Sequence, residues 1–353
     1  MATLNPGYFA FVMGTGIISV GMRNHGLTAF SALLLWVAVA GYVVLVVLTA
    51  WRALAFGEML RTEFTDPGRG FGFFTFVAGT DVVGTRLALD GHYRTALGLL
   101  AVGWASWLVL GYVVPWTAVL GRAHRPVVAG ANGTWFIWVV ASQSVAVLAA
   151  ALEPTGILWR RELALLAVFS WSIGVFLYGA AGIFVAARML LYPLRPVDLT
   201  PPYWVAMGAT AITVLAGAGI VQMADAPMVN ATRGLIGGLS VVFWAFGTWL
   251  IPVLVAAGWW RHLTHRVPLR YEATLWSVVF PLGMYGAAGH YLGNADRLPI
   301  VRVIGEDETW IALGVWGLTL AAMLVHLGRT LVWPDAVEHR AALTRPPTDL
   351  RPS

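Results

Sequence analysis

Long apolar stretches alternate along the chain with short polar breaks that carry arginine, and ten such stretches fit within the 353 residues. Each approaches the roughly 20 residues that a helix needs to cross the hydrocarbon core of a bilayer. The pattern predicts spans at Tyr8–Val20, Phe30–Ala53, Phe71–Leu89, Ala96–Leu120, Trp135–Leu152, Leu163–Leu190, Tyr203–Met223, Leu235–Trp260, Leu275–Leu292 and Ile311–Val332. The expected fold is all-α and integral to the membrane: one transmembrane domain of ten helices over residues 1–332, then a cytoplasmic tail over 333–353.

Odd-numbered spans are shorter and richer in Gly, Ala, Ser and Thr, whereas even-numbered spans carry bulky runs such as Leu33-Leu34-Leu35-Trp36. Helices that pack closely or line water favour small residues, and helices that touch lipid need apolar bulk. The alternation predicts an inner ring of five helices, forming a pore, inside an outer ring of five. Phe11-Val12-Met13-Gly14-Thr15, Phe76-Val77-Ala78-Gly79-Thr80 and Trp138-Val139-Val140-Ala141-Ser142 share an aromatic followed by small and hydroxyl residues. They recur about every 65 residues, as a helical hairpin repeated five times would. Val205-Ala206-Met207-Gly208-Ala209 and Val278-Val279-Phe280-Pro281 fit the same period loosely. The alternative is that all membrane helices draw on a small alphabet.

Composition agrees with this class, since 59% of residues are apolar and only 11% charged. Cysteine is absent, which excludes disulfides and thiolate chemistry. Met1-Ala2-Thr3-Leu4-Asn5-Pro6 lacks the basic region of a cleavable signal, so the first apolar stretch is expected to stay. The formal charge of +5 comes from arginines that punctuate apolar segments rather than clustering on one solvated face, which argues against nucleic acid as a partner. With ten crossings, fourteen of the 22 arginines fall on one side of the membrane and eight on the other. Both termini are therefore expected in the cytoplasm, in a plasma (inner) membrane.

A ring of glycine-rich helices has too little side-chain volume to fill its own axis. The expected pore lining is Gly14, Thr15, Gly16, Gly79, Thr80, Ser142, Gln143, Ser144, Thr210 and Thr213. Neutral hydrogen-bonding groups suit an anion that must leave again, whereas a mid-membrane arginine would trap it. The alternative for each hydroxyl is a bond back to its own helix. Phe280 is bulky among small residues, and Pro281 breaks the helical ladder directly after it. Such a kink aims an aromatic ring at the axis as a hydrophobic gate, or simply packs a core phenylalanine.

Asp81 lies within the third span, where an acid is costly enough to mark a function. It is a candidate to carry a coupled proton, the alternative being an acid satisfied by Arg86 or Thr85. His290 and His326 sit near span ends, and His262 and His265 belong to a basic loop. The Gly283, Gly286, Gly289 row reads as a close-packing face. No HExxH, P-loop, GxSxG or haem-type histidine pair is present, so no enzyme site, metal site or cofactor is expected.

Asn5-Pro6-Gly7-Tyr8-Phe9 with Val12-Met13-Gly14-Thr15-Gly16 resembles the opening helix of the tellurite-resistance/C4-dicarboxylate transporter family, which includes the slow anion channels of plant guard cells. Phe280-Pro281-Leu282 is similar to that family's Phe-Pro-Leu segment. The resemblance covers essentially the whole chain. It implies an inner five-helix pore closed by Phe280, a homotrimer with one pore per subunit, and small anions such as malate, succinate, sulfite, chloride or nitrate as substrates. The resemblance implies mid-span prolines in several inner helices, and among the inner spans of this chain only the ninth clearly has one. Nothing in these residues points to tellurium chemistry. The expected function is transport of a small anion, C4-dicarboxylate foremost, with a sulfite or inorganic-anion exporter next. A quinone-handling anchor subunit, which would need haem ligands, is the more distant reading.

Overall fold

The computed structural model describes residues 4–120, 126–156 and 159–332. The tail over 333–353, and with it Arg340, Arg345 and Arg351, lies outside the described residues, as do Arg122 and Arg125. Eleven α-helices make up the described chain: α1 Ala10–Asn24, α2 Thr28–Ala55, α3 Gly57–Thr65, α4 Phe74–Leu89, α5 Tyr93–Leu120, α6 Phe136–Leu152, α7 Arg160–Leu191, α8 Val205–Val221, α9 Pro227–Trp259, α10 Trp276–Ala295 and α11 Pro299–Val332. No strand occurs among the described residues. Among the described residues, seven helical segments are long and apolar enough to cross a membrane: those of α2, α5, α6, α7, α8, α9 and α11.

Five short helices pack into a closed ring, α1 on α4, α4 on α6, α6 on α8, α8 on α10 and α10 on α1. A longer helix lies along each of them: α2 on α1, α5 on α4, α7 on α6, α9 on α8 and α11 on α10. The longer helices expose their bulk, as at Trp36, Val109, Phe176, Trp249 and Leu318, while the ring helices are buried almost throughout. This is the distribution expected of helices whose outer faces meet hydrocarbon rather than water.

Small residues allow the ring to close. A Cβ on Gly16 would come within 2.5 Å of Val82 on α4, and one on Gly283 within 2.8 Å of Ile17 on α1. Gly289 and Gly305 bring the backbones of α10 and α11 into direct contact. Gly26 and Gly91, with φ of 77° and 84°, turn the chain tightly after α1 and α4. Such left-handed positions admit glycine at no steric cost.

Each ring helix begins with a single 3-10 turn: Pro6–Phe9, Gly70–Phe73, Gly133–Trp135, Pro201–Trp204 and Ala273–Leu275. These turns also pack on one another in ring order and close that end of the bundle. Asn5 and Asn132 set two of them, their side chains accepting from the Gly7 and Thr134 amides at 2.8 Å. The positive ends of five helix dipoles therefore converge on one small area.

Candidate functional site

The opposite end of the ring is open. There the C-terminal halves of all five ring helices enclose a cavity of about 550 Å³. Ile17 and Val20 come from α1, Asp81 and Thr85 from α4, Ser144 and Val147 from α6, Ile212 and Leu215 from α8, and Met284 and Tyr291 from α10. Helical periodicity accounts for these sets, because residues three, four and seven apart share a face.

Continuing each stripe one turn toward the N-terminus reaches Met13, Val77, Val140, Gly208 and Phe280. All five are buried. Phe280 is only 1% exposed and lies four residues before Met284 and eleven before Tyr291, both of which line the cavity. At about 100° per residue it falls on their stripe. One helical turn beyond the deep end of the cavity there is thus an apolar layer that includes Phe280, with Pro281 interrupting the hydrogen-bond ladder directly after it.

Among the described residues, no arginine lines the cavity. The carboxyls that do are Asp81, at the deep end, and Glu153, at the rim. Glu153 is paired with Arg160 at 2.8 Å. Asp81 is fully buried, and its Oδ2 accepts from the Ser144 hydroxyl at 2.8 Å. Neither sequence-level partner serves it. Arg86 instead binds Asp90 at 2.7 Å and donates to the hydroxyls of Ser19 and Ser31 at 2.9 Å, and Thr85 makes no bond to the acid.

The structure separates the residues that the sequence groups as pore lining. Ser144 reaches the cavity beside Asp81. Thr15 Oγ1 accepts from Trp316 Nε1 on α11 at 3.0 Å, and Thr80 donates to the Phe76 carbonyl and meets the Tyr42 hydroxyl on α2 at 2.9 Å. Ser142 and Gln143 donate to the carbonyls of Ser170 and Trp171 on α7 at 2.9 and 3.1 Å. Thr210 and Thr213 bond back to Met207 and Ala209. Gly14 packs against Val279, and Gly79 against Phe9 and Val12, so these glycines serve helix contacts. Gln222, Met284 and Tyr291 line the cavity without being singled out in the sequence, and Thr85, which the sequence offers only as a partner for Asp81, lines it as well. The available signal was position: Thr85 is one turn from Asp81, and Met284 one turn from Phe280.

The histidines lie elsewhere. His290 faces Glu306 at 3.3 Å, and His326 packs near the Tyr271 ring.

A protein of Mycobacterium tuberculosis, described as an uncharacterized membrane protein, is 71% identical over 157 residues, which is 44% of this chain and 80% of that protein. An uncharacterized transporter of Methanocaldococcus jannaschii is 25% identical over 337 residues, covering 89% of this chain and 91% of its own length. A second transporter of that organism, also described as uncharacterized, is 25% identical over 331 residues, 89% of this chain and 92% of the relative. The profile of the voltage-dependent anion channel family matches residues 3–324, and the chain belongs to that family.

Proposed function

We propose that the protein carries small anions across the plasma membrane through the axis of the five-helix ring, with Phe280 as the gate. The observation that carries this reading is the cavity built by all five ring helices, with a buried layer containing Phe280 one helical turn beyond its deep end. An apolar constriction of that kind blocks ions by excluding water. Transport, rather than catalysis, is the function of the family to which the chain belongs.

In this reading the five ring helices and the five outer helices all cross the bilayer as five hairpins, α1, α4 and α10 being carried inside the ring where lipid does not reach them. Both termini face the cytoplasm, so the ring of 3-10 turns is the cytoplasmic mouth and the cavity opens outward. Five helix N-termini then attract an anion to the narrow end without a trapping arginine. Ser144 and Asp81, hydrogen-bonded to each other, line the path on the outer side of the gate, and Asp81 is the candidate proton site in this reading. The assembly is a homotrimer with a pore in each subunit.

Substrate choice follows from the lining. A C4-dicarboxylate would bring two charges into a cavity with no cation to meet them, whereas a monovalent anion brings one. The lining therefore favours ions such as chloride, nitrate or a monocarboxylate over malate, with sulfite between them. The test is anion flux in proteoliposomes for chloride, nitrate, sulfite and malate, comparing wild type with Phe280→Ala under an imposed potential. Flux that rises strongly in the variant supports the gate and ranks the anions. Absence of flux from both proteins would overturn the transport reading.

A further inference from the structure

Asp81 lies at the middle of α4 with no exposed surface. Oδ2 is bonded to Ser144, while Oδ1 has no hydrogen-bond partner among the described residues. The carboxyl rests in a niche made by a missing side chain, because a Cβ on Gly103 of α5 would overlap Oδ1 and approach the carboxyl carbon at 2.8 Å. The polar and charged groups around it are few. From α6 comes Ser144, and from α2 comes Tyr42, whose hydroxyl is engaged by Thr80. The α5 face is Gly103, and α1 presents Ile17 at this level of the cavity. On α4 itself Arg86 is held by Asp90, Ser19 and Ser31. Tyr93 and Tyr291 line the cavity nearer its mouth, and Glu153 at the rim is neutralised by Arg160.

A niche with one donor and no cation suits a neutral carboxylic acid and penalises a carboxylate. The same residue forms part of the cavity wall, so water is one side-chain rotation away. We infer that Asp81 is a proton-operated switch on the anion path. Protonated, it lies against Gly103 and leaves the deep end of the cavity uncharged. Ionised, it turns out of the niche and places a negative charge one helical turn from the Phe280 layer, where it repels the anion that must pass. Acid on the cavity side opens the path, and alkali closes it. This regulation rests on the anion-transport reading, and it names the group through which pH acts on that site.

The experiment is nitrate or chloride flux in proteoliposomes as bath pH is varied across the range in which protein carboxyls titrate, about pH 4 to about pH 8. Wild-type flux is expected to rise roughly tenfold or more on acidification, the scale set by one unit charge close to the path. Asp81→Asn is expected to give high flux that no longer follows pH. Gly103→Ala, which fills the niche, is expected to give low flux across the range. An Asp81→Asn protein that keeps the wild-type pH profile would overturn the switch. Infrared difference spectra provide a readout independent of flux, through the carbonyl stretch of a protonated carboxyl that appears in wild type and not in Asp81→Asn. A spectrum without that difference overturns the neutral niche. The expected spectrum together with no flux from wild type, Phe280→Ala or Asp81→Asn supports the niche and overturns the transport reading instead.

Discussion

Gly208 on α8 faces Pro281 on α10 so closely that a Cβ at position 208 would stand 2.8 Å from Pro281 Cγ. The contact lies at the level of the Phe280 layer, and proline has no flexible end that can move aside. Gly208→Ala must therefore push α10 outward locally, at a cost of about 1–3 kcal/mol for overpacking. Phe280 moves with its helix. The expected result is a lower melting temperature in detergent together with higher basal anion flux, in the direction of Phe280→Ala. Normal melting with unchanged flux would show that the two helices do not set the layer.

Arg86 ties three helices together at the outer end of the ring. It is 1% exposed, pairs with Asp90 at the C-terminal cap of its own helix, and donates to Ser19 on α1 and Ser31 on α2. Arg86→Met leaves the Ser19 and Ser31 hydroxyls without that donor, while Asp90 keeps Arg23. Loss of one partner from a buried ion pair costs about 3 kcal/mol at the lower end of the measured range, which fits here because Asp90 retains access to solvent. Arg86→Lys is expected to recover only part of the loss, since an ammonium point charge cannot serve Asp90 and both hydroxyls with the guanidinium's geometry. Thermal unfolding followed by tryptophan fluorescence reads both values.

Much of this architecture was legible in the chain. The alternation of Gly- and Ala-rich spans with Leu-, Val- and Trp-rich ones separates ring helices from outer helices because burial and lipid contact demand different side-chain volumes. Phe280 stood out by its bulk beside Pro281. The hydroxyls were not sortable in the same way. A ring helix touches two ring neighbours and one outer helix besides the axis, so Thr15 and Ser142 have more helix to face than pore. The suggested Asp81 and Arg86 pairing failed for a geometric reason: five residues apart is about 140° around a helix, whereas Asp90 is four residues from Arg86 and shares its face. The short α3, and the 3-10 turns that close the narrow end, left no apolar period to read.

The loop between α7 and α8 carries a pH-dependent element outside the membrane. Hydrogen bonds from the Arg195 guanidinium, at 2.9 Å to Oδ1, and from the Arg195 amide, at 3.0 Å to Oδ2, hold the Asp198 carboxyl below the usual carboxylate range against the opposing effect of partial burial. A depressed folded-state value means that the contribution is present above the unfolded value and lost as pH falls through the folded one. Asp198→Asn is expected to melt slightly below wild type at neutral pH, with the gap closing under acid. The effect is small because solvent screens the pair. A gap that widened on acidification would contradict the assignment.

The two fates of the inner hydroxyls give the final prediction. Thr15 accepts from Trp316 across the α1 and α11 seam, and Thr80 meets Tyr42 across the α2 and α4 seam, whereas Ser144 stands at the cavity beside Asp81. Thr15→Val leaves the Trp316 N–H unpaired between helices, at a cost of about 1–3 kcal/mol. It removes nothing from the cavity. Stability is therefore expected to fall while the order of chloride, nitrate, sulfite and malate fluxes stays the same, and Thr80→Val is expected to behave alike. Ser144→Ala removes a cavity hydroxyl and the donor to Asp81 together, so the anion order, the pH profile or both are expected to change. Melting curves and flux ratios on the three variants decide between the roles. A changed anion order in Thr15→Val would place that hydroxyl on the path and count against the seam reading.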